Sequence, residues 1–416
     1  MIKLLRANAA LRWLFIAQVV SFMGDWFSFV AVTGLVKDAT DSEFLISLAY
    51  VSFTLPSFLA SPIAGVTVDR FDRRTLLLVV SLLQAFAALG LLTATDSSVW
   101  PLFVFQGVIS ALAAFVKPAI DAGVPNLART PDELRTANAL FGSTWGVMLA
   151  VGAAAGGLFS EAFGRQAAFY ANAVSFAVAM LLFALIRRPM QEPQHANRPT
   201  MRPLADMSEA IRYARTDHVV LALIASKSTF AIGAGTVSQL PVLATTVFGW
   251  GDDGTGMLLA ARGVGAGLGP LIASRYAKGS VANVLRICGF AGIGFSASYL
   301  AAAWAPVIWV AALVIAIGHL GGGSQWTLST YGLQLRTPDH IRGRVMAGDF
   351  AIVTLFMSLS GLGAGVMSEA VGVRWTISAF AGAAAVAGFA YISLTRPIVH
   401  RLQAEEAAEM AIRRGC

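Results

Sequence analysis

Apolar residues run in long blocks along this chain, near 11–34, 44–66, 75–95, 98–118, 137–159, 166–186, 219–240, 254–274, 281–303, 305–326, 345–368 and 375–395. Short polar segments separate them. Each block is about 20 residues or more, enough to cross a bilayer as α-helix and longer than a barrel strand requires. Lipid offers no partner to backbone N–H and C=O groups, so runs of this length are satisfied only as helix. The pattern predicts an all-α integral membrane fold of twelve transmembrane helices.

Composition sharpens this picture. Of 416 residues, 56% are hydrophobic and 13% charged, with mean hydropathy +0.69; a soluble domain carries about 25% charged residues. Twelve spans and short loops leave little chain for a soluble catalytic module, and a non-transporting sensor or scaffold would need such a module. A net charge of +7 and a pI near 9.7 admit a nucleic-acid partner, so the placement of the charges decides. With the N-terminus inside and loops alternating, outer loops hold only Lys37, Arg165 and Arg374 of the 30 Lys and Arg, while Lys227 and Arg262 fall within spans. The rest lie inside. Outer loops instead carry Asp38, Asp41, Glu43, Asp252 and Asp253. This bias predicts both termini in the cytoplasm, a lipid bilayer as the surroundings and no nucleic acid. Lys3, Arg6 and Arg12 precede the first block without a small-residue cleavage site, which reads as a retained first span. Cys288 and Cys416 have neither disulfide context nor metal-ligand spacing, and no cofactor or metal is expected.

The longest loop, about 187–218, holds Pro189, Pro193, Pro199 and Pro203, then a short amphipathic stretch with Leu204, Met207, Ile211 and Ala214 on one face. It divides the chain nearly in half. Across it, Arg129–Arg135 (RTPDELR) returns as Arg336–Arg342 (RTPDHIR), an offset of 207 residues. A weaker echo at offset 205 aligns Asp69–Arg73 with Ser274–Lys278. Both pairs fall in inside loops. The arrangement predicts two six-helix bundles related by a parallel repeat, with a first bundle over 1–188, a linker with a short amphipathic helix over 189–218, and a second bundle with its tail over 219–416.

At these residues the chain resembles the major facilitator superfamily over essentially its whole length. Gly65–Arg74 (GVTVDRFDRR) fits that superfamily's signature G-x-x-x-D-R-x-x-R-R after span 2. PNLARTPDELRTANAL after span 4, RTPDHIRGRVMAG before span 11 and Gly24-Asp25 in span 1 are similar to the subgroup of bacterial macrolide efflux proteins and the enterobactin exporter. The chain departs from the superfamily at two places. Gly152-Ala153-Ala154-Ala155-Gly156-Gly157 lacks the proline of the span 5 antiporter signature, and Phe103 stands where the span 4 signature has arginine.

Two sets of residues carry candidate chemistry. The gating set is Gly65, Asp69, Arg70, Arg73, Arg74, Arg342 and Arg344. Positive-inside charge alone accounts for its arginines, but a carboxylate at Asp69 is suited to hold the positive N-terminal end of span 11 and latch a cytoplasmic gate. The second set consists of polar residues at membrane depth, where a charge costs about 2.5–3.5 kcal/mol on insertion scales: Gln18, Asp25, Gln106, Lys227, Arg262, His319 and Gln325. Most of them favour spans 1, 4, 7 and 10, which the resemblance implies line a central cavity. Asp25 lies about 20 Å of helix beyond Arg12. It reads as a cavity carboxylate for protons or cationic substrate, as a structural partner of Lys227 or Arg262, or as an interfacial residue. His319 reads equally as packing or as a proton carrier. Glycine-rich stretches in spans 5, 8 and 11 suit either static packing or a sliding interface.

The resemblance implies a monomeric secondary transporter of a bacterial inner membrane. It would export hydrophobic or amphiphilic small molecules by alternating access, with protons as a coupling ion. Siderophore export and lysophospholipid movement are the alternatives. No G-x-x-x-x-G-K-[ST] run marks an ATP-driven pump. An embedded enzyme would have only His319 with Asp25 or Asp349 as a catalytic pair.

Overall fold

The computed structural model describes residues 1–40, 43–95, 98–192, 203–250, 252–277 and 279–415. Asp41, Pro193, Pro199, Lys278 and Cys416 of the sequence reading lie outside the described residues. The first half forms α1 (Ile2–Ala7), α2 (Ala9–Ala39), α3 (Glu43–Arg70), α4 (Arg73–Gly90), α5 (Trp100–Leu127), α6 (Pro131–Phe163) and α7 (Arg165–Ala184). The amphipathic stretch of the linker is α8 (Pro203–Thr216). There follow α9 (His218–Ile232), α10 (Gly235–Ser238), α11 (Leu240–Val242), α12 (Asp252–Ala277), α13 (Val281–Ala303), α14 (Ile308–Arg336), α15 (Asp339–Val371) and α16 (Val373–Gly415).

Among the described residues the secondary structure is helical apart from one isolated bridge between Thr95 and Ser98. Ten helices or joined helical pieces among the described residues are long and apolar enough to cross a membrane. The remaining apolar blocks fall on α3 and α6, of 28 and 33 residues. Large apolar side chains such as Leu394, at 76% exposure, and Val366, at 73%, point outward, as lipid-facing residues of a membrane protein do. Exposed Trp100, Trp304, Trp309 and Trp375 lie at helix ends away from the arginine-rich loops, as in an interfacial aromatic belt.

Local chemistry sets the helix starts. Asp72 accepts from the Thr75 N–H at 2.7 Å and caps α4, Ser280 caps α13, and Asp217 caps α9. At α6 the Thr130 hydroxyl accepts from the Glu133 N–H at 3.1 Å as an N-cap, while the Glu133 carboxylate reaches back one residue further and accepts from the Arg129 N–H at 2.9 Å. The block at 219–240, which reads as one run in the sequence, is broken. It ends as α9 at Ile232, resumes as α10 and α11, and closes in a π-turn over Leu243–Val247. Pro241 lacks the N–H that an unbroken helix would need there.

Residues Met1–Ala137, Met148–Tyr213 and Thr337–Ser358 make one compact unit, and Asn138–Val147, Ala214–Arg336 and Leu359–Cys416 make a second. In the first unit α2 packs on α7, α3 on α5, and α4 on both α5 and α7. In the second, α9 packs on α16, α12 on α14, and α13 on both α14 and α16. The two sets of partners correspond helix for helix. Gly164, between α6 and α7, has φ +83°, and Gly372, between α15 and α16, has φ +82°. Both corners use a backbone conformation that side chains disfavour.

Candidate functional site

The last turn of α3 delivers Asp69 to the first turns of α15. Its carboxylate accepts from the N–H of Gly343 at 2.6 Å, the N–H of Arg344 at 3.0 Å and Nε of Arg344 at 2.9 Å. Glycine makes this approach feasible on both sides. A Cβ on Gly343 would collide with Asp69 Oδ1, and one on Gly65 would stand 2.9 Å from the Ala347 Cβ. Asp69 faces Arg73 at 3.7 Å.

Arg73 is buried, at 1% exposure, and its guanidinium is hydrogen-bonded on several sides. Nη1 donates to the carbonyls of Ala122 and Met190, both at 3.0 Å, and to Asp339 Oδ1 at 2.8 Å; Nη2 donates to the Asp339 carbonyl at 3.1 Å. Asp339 also accepts from Arg342 at 2.8 Å and from Asn126 at 2.9 Å. On the other side, Arg344 Nη1 reaches Glu209 of α8 at 2.6 Å. The result is one alternating ladder, Glu209–Arg344–Asp69–Arg73–Asp339–Arg342, in which every neighbour has the opposite sign. Buried charges are tolerated only in this kind of paired and hydrogen-bonded setting, because desolvating an isolated one costs several kcal/mol, by rough estimate.

Of the gating residues named by the sequence, Gly65, Asp69, Arg73, Arg342 and Arg344 are thus brought together. Arg70 is half-buried, and Arg74 turns instead to α7, donating to the carbonyls of Phe183 and Ala184 at its C-terminal end. There a cation complements the exposed carbonyls and the helix dipole. Sequence reasoning did not single out Asp339, Asn126 or Glu209. The repeat held a signal for the first: Asp339 and Arg342 stand where Asp132 and Arg135 stand, and both copies form an i,i+3 ion pair, at 2.8 and 2.9 Å. Asp132 is largely exposed, whereas Asp339 is buried.

The membrane-depth residues divide between the units. In the first, Gln18, Ser21 and Asp25 share a face of α2 by helical spacing, and the Asp25 carboxylate has no hydrogen-bond or ion-pair partner among the described residues. Gln106 of α5 is buried, and its Oε1 has no hydrogen-bond partner there.

In the second unit, Lys227 donates to Thr330 Oγ1 at 3.0 Å and lies 5.2 Å over the Trp326 ring. Arg262 stacks 4.7 Å over Trp145. His319 shares a 2.8 Å hydrogen bond with the Tyr299 hydroxyl inside a shell that includes Phe230 and Phe295. Gln325 Nε2 reaches the Ser226 carbonyl at 2.6 Å and Thr229 Oγ1 at 2.8 Å, tying α14 to α9. The glycines of α12 serve close packing on α14: Cβ atoms on Gly265 and Gly269 would collide with the carbonyl oxygens of Ala316 and Leu320. Gly361, Gly363 and Gly365 of α15 differ, since none of their Cβ atoms would come closer than 3.4 Å to a neighbour and that of Gly365 would meet nothing within 4 Å.

A family model described as transmembrane secretion effector matches residues 5–413. The uncharacterized MFS-type transporter YfiS of Bacillus subtilis is 25% identical, with 89% of each chain covered. The multidrug efflux pump Tap of Mycobacterium tuberculosis is 26% identical, with 88% of each chain covered. Among solved structures, the human organic anion transporter MFSD10 (TETRAN) superposes with a TM-score of 0.78 at 14% identity, covering 92% of this chain and 98% of that one. At that identity the likeness is one of fold.

Proposed function

Because this chain belongs to the transmembrane secretion effector family of major-facilitator transporters, we propose that it exports hydrophobic or amphiphilic small molecules across a bacterial inner membrane by alternating access. In this reading twelve spans form two six-helix bundles, over 1–188 and 219–416, joined by the linker 189–218, with both termini cytoplasmic. The corresponding helix pairings within each unit and the paired glycine corners at Gly164 and Gly372 support the duplication.

The charge ladder is the observation that carries the mechanism. It joins α3, from the first half of the sequence, to α15, from the second, through buried and hydrogen-bonded ion pairs. Such a contact is a latch: formed, it holds the cytoplasmic ends of the two helices together, and broken, it leaves charges that water can solvate. Alternating access then consists of closing and opening this latch, with Gln18, Asp25 and Gln106 of the first unit and Lys227, Arg262, His319 and Gln325 of the second as candidate residues for substrate contact or proton coupling. Asp25 is the carboxylate suited to exchange a proton, and the export of drugs by the related Tap pump agrees with an amphiphilic substrate.

Purified protein in proteoliposomes tests this reading. An imposed pH gradient should drive a lipophilic fluorescent amphiphile across the bilayer, and a protonophore should abolish the movement. Folded, monodisperse protein that moves no amphiphile under either a pH gradient or a membrane potential would overturn it.

A further inference from the structure

The latch is not made by α3 and α15 alone. After α7 the chain turns back beneath the helix ends. Arg188 donates to the Leu127 carbonyl at 2.9 Å, and Met190 is fully buried against Gly123. The Met190 carbonyl accepts from both Arg73 and Asn126 at 3.0 Å. Gln191 Oε1 accepts from the Arg73 N–H at 3.2 Å, and the Glu192 N–H donates to Asp339 Oδ2 at 3.0 Å. Further along the linker, Glu209 of α8 forms the end rung of the ladder on Arg344, at 2.6 Å. The linker therefore holds the ladder at two separate places, once on Arg73 and Asp339 and once on Arg344.

We propose that the linker is a clasp on the latch, with Glu209 and the 190–192 segment acting as positioning residues that orient Arg344, Arg73 and Asp339 for their contacts across α3 and α15. The physical argument is one of shared donors. Arg344 divides its guanidinium among Asp69, Glu209 and the His340 carbonyl, so its orientation is restrained from three sides. Without Glu209, one end of that guanidinium returns to water, and the geometry toward Asp69 is no longer imposed. Likewise Arg73 is aimed at Asp339 by a backbone carbonyl of the linker. Latch opening and linker release are then one event, so anything that pulls on the linker or binds it changes the gate. This inference rests on the latch reading of the preceding section.

Hydrogen–deuterium exchange of the full-length protein in detergent or nanodiscs separates the two. The Gly343 and Arg344 N–H groups are bonded to Asp69, so exchange over 339–346 reports latch opening directly. Exchange over 186–192 reports linker release. Glu209→Ala removes one rung that is largely solvent-exposed on its acid side and should leave folding intact. It is expected to raise exchange in both segments together, by up to about five-fold, the equilibrium equivalent of an exposed ion pair. Glu209→Asp should restore part of the protection. Gln191→Ala should act in the same direction on 339–346.

If Glu209→Ala and Gln191→Ala speed exchange only in the linker and leave 339–346 unchanged, the clasp is wrong and the linker is a passive tether. Asp69→Asn serves as the reference for the latch itself. If it leaves 339–346 unchanged while Glu209→Ala opens that segment, the latch reading fails and the linker's hold on α15 stands.

Discussion

Asp69 and Arg344 meet twice, once through the backbone N–H at 3.0 Å and once through the guanidinium at 2.9 Å. One carboxylate thus reads both the position of the α15 backbone and the orientation of its side chain. In the proposed latch this double contact is more cooperative than a side-chain salt bridge alone, because rotation of α15 by a fraction of a turn breaks both at once.

Asp69→Asn removes the charge while keeping the shape. Arg73 would keep Asp339 and Arg344 would keep Glu209, so the loss is that of charged hydrogen bonds, on the order of 1.5–3 kcal/mol. The variant should fold, yet populate less of the outward-open state of the proposed alternating-access cycle. Labelling of single cysteines placed in the outer loops checks this, and unchanged labelling rates would count against the latch.

Gly343→Ala tests the same contact by sterics. Its Cβ would collide with Asp69 Oδ1 and stand 2.7 Å from Val68 Cγ1, so the Asp69 carboxylate must leave its place on the α15 N–H groups or the two helices must shift. A destabilisation of about 1–3 kcal/mol is expected for such overpacking. Thermal unfolding in detergent should show it, whereas Gly365→Ala, with open space around its Cβ, should leave the melting temperature nearly unchanged.

Gly164→Ala and Gly372→Ala probe the duplication. Neither Cβ would touch anything within 4 Å, so each substitution acts only through a positive φ, +83° and +82°. Each should cost about 1–3 kcal/mol. The two costs should match and add in the double variant. A large effect at one corner and none at the other would show that the corners are not equivalent.

Asp25→Asn addresses coupling. If the carboxylate carries the coupling proton, the variant should lose export driven by a pH gradient in proteoliposomes while still binding substrate. If it serves a buried cation, the variant should lose expression by stranding that charge, and neutralising the cation as well should restore it. Full gradient-driven export by a stable Asp25→Asn protein would leave Asp25 an interfacial residue.

Hydropathy by itself determined that the chain is helical and where most of its helices lie, though not that the block at 219–240 would be broken. In lipid each backbone group must find its partner within its own segment, so a long apolar block has one solution. The loop signature likewise marked Asp69 and Arg73 as candidates, and the repeat brought Arg342 into view. The chain did not show which of those charges would be buried. Arg70 and Arg73 look alike in the motif, yet it is Arg73 that finds Asp339, 266 residues away, together with two backbone carbonyls. Likewise Asp132 and Asp339 occupy equal places in the repeat, and one is exposed while the other is buried in the ladder. Only tertiary structure decides such cases, because an ionised side chain leaves water only where distant parts of the chain supply its counter-charges and hydrogen bonds together.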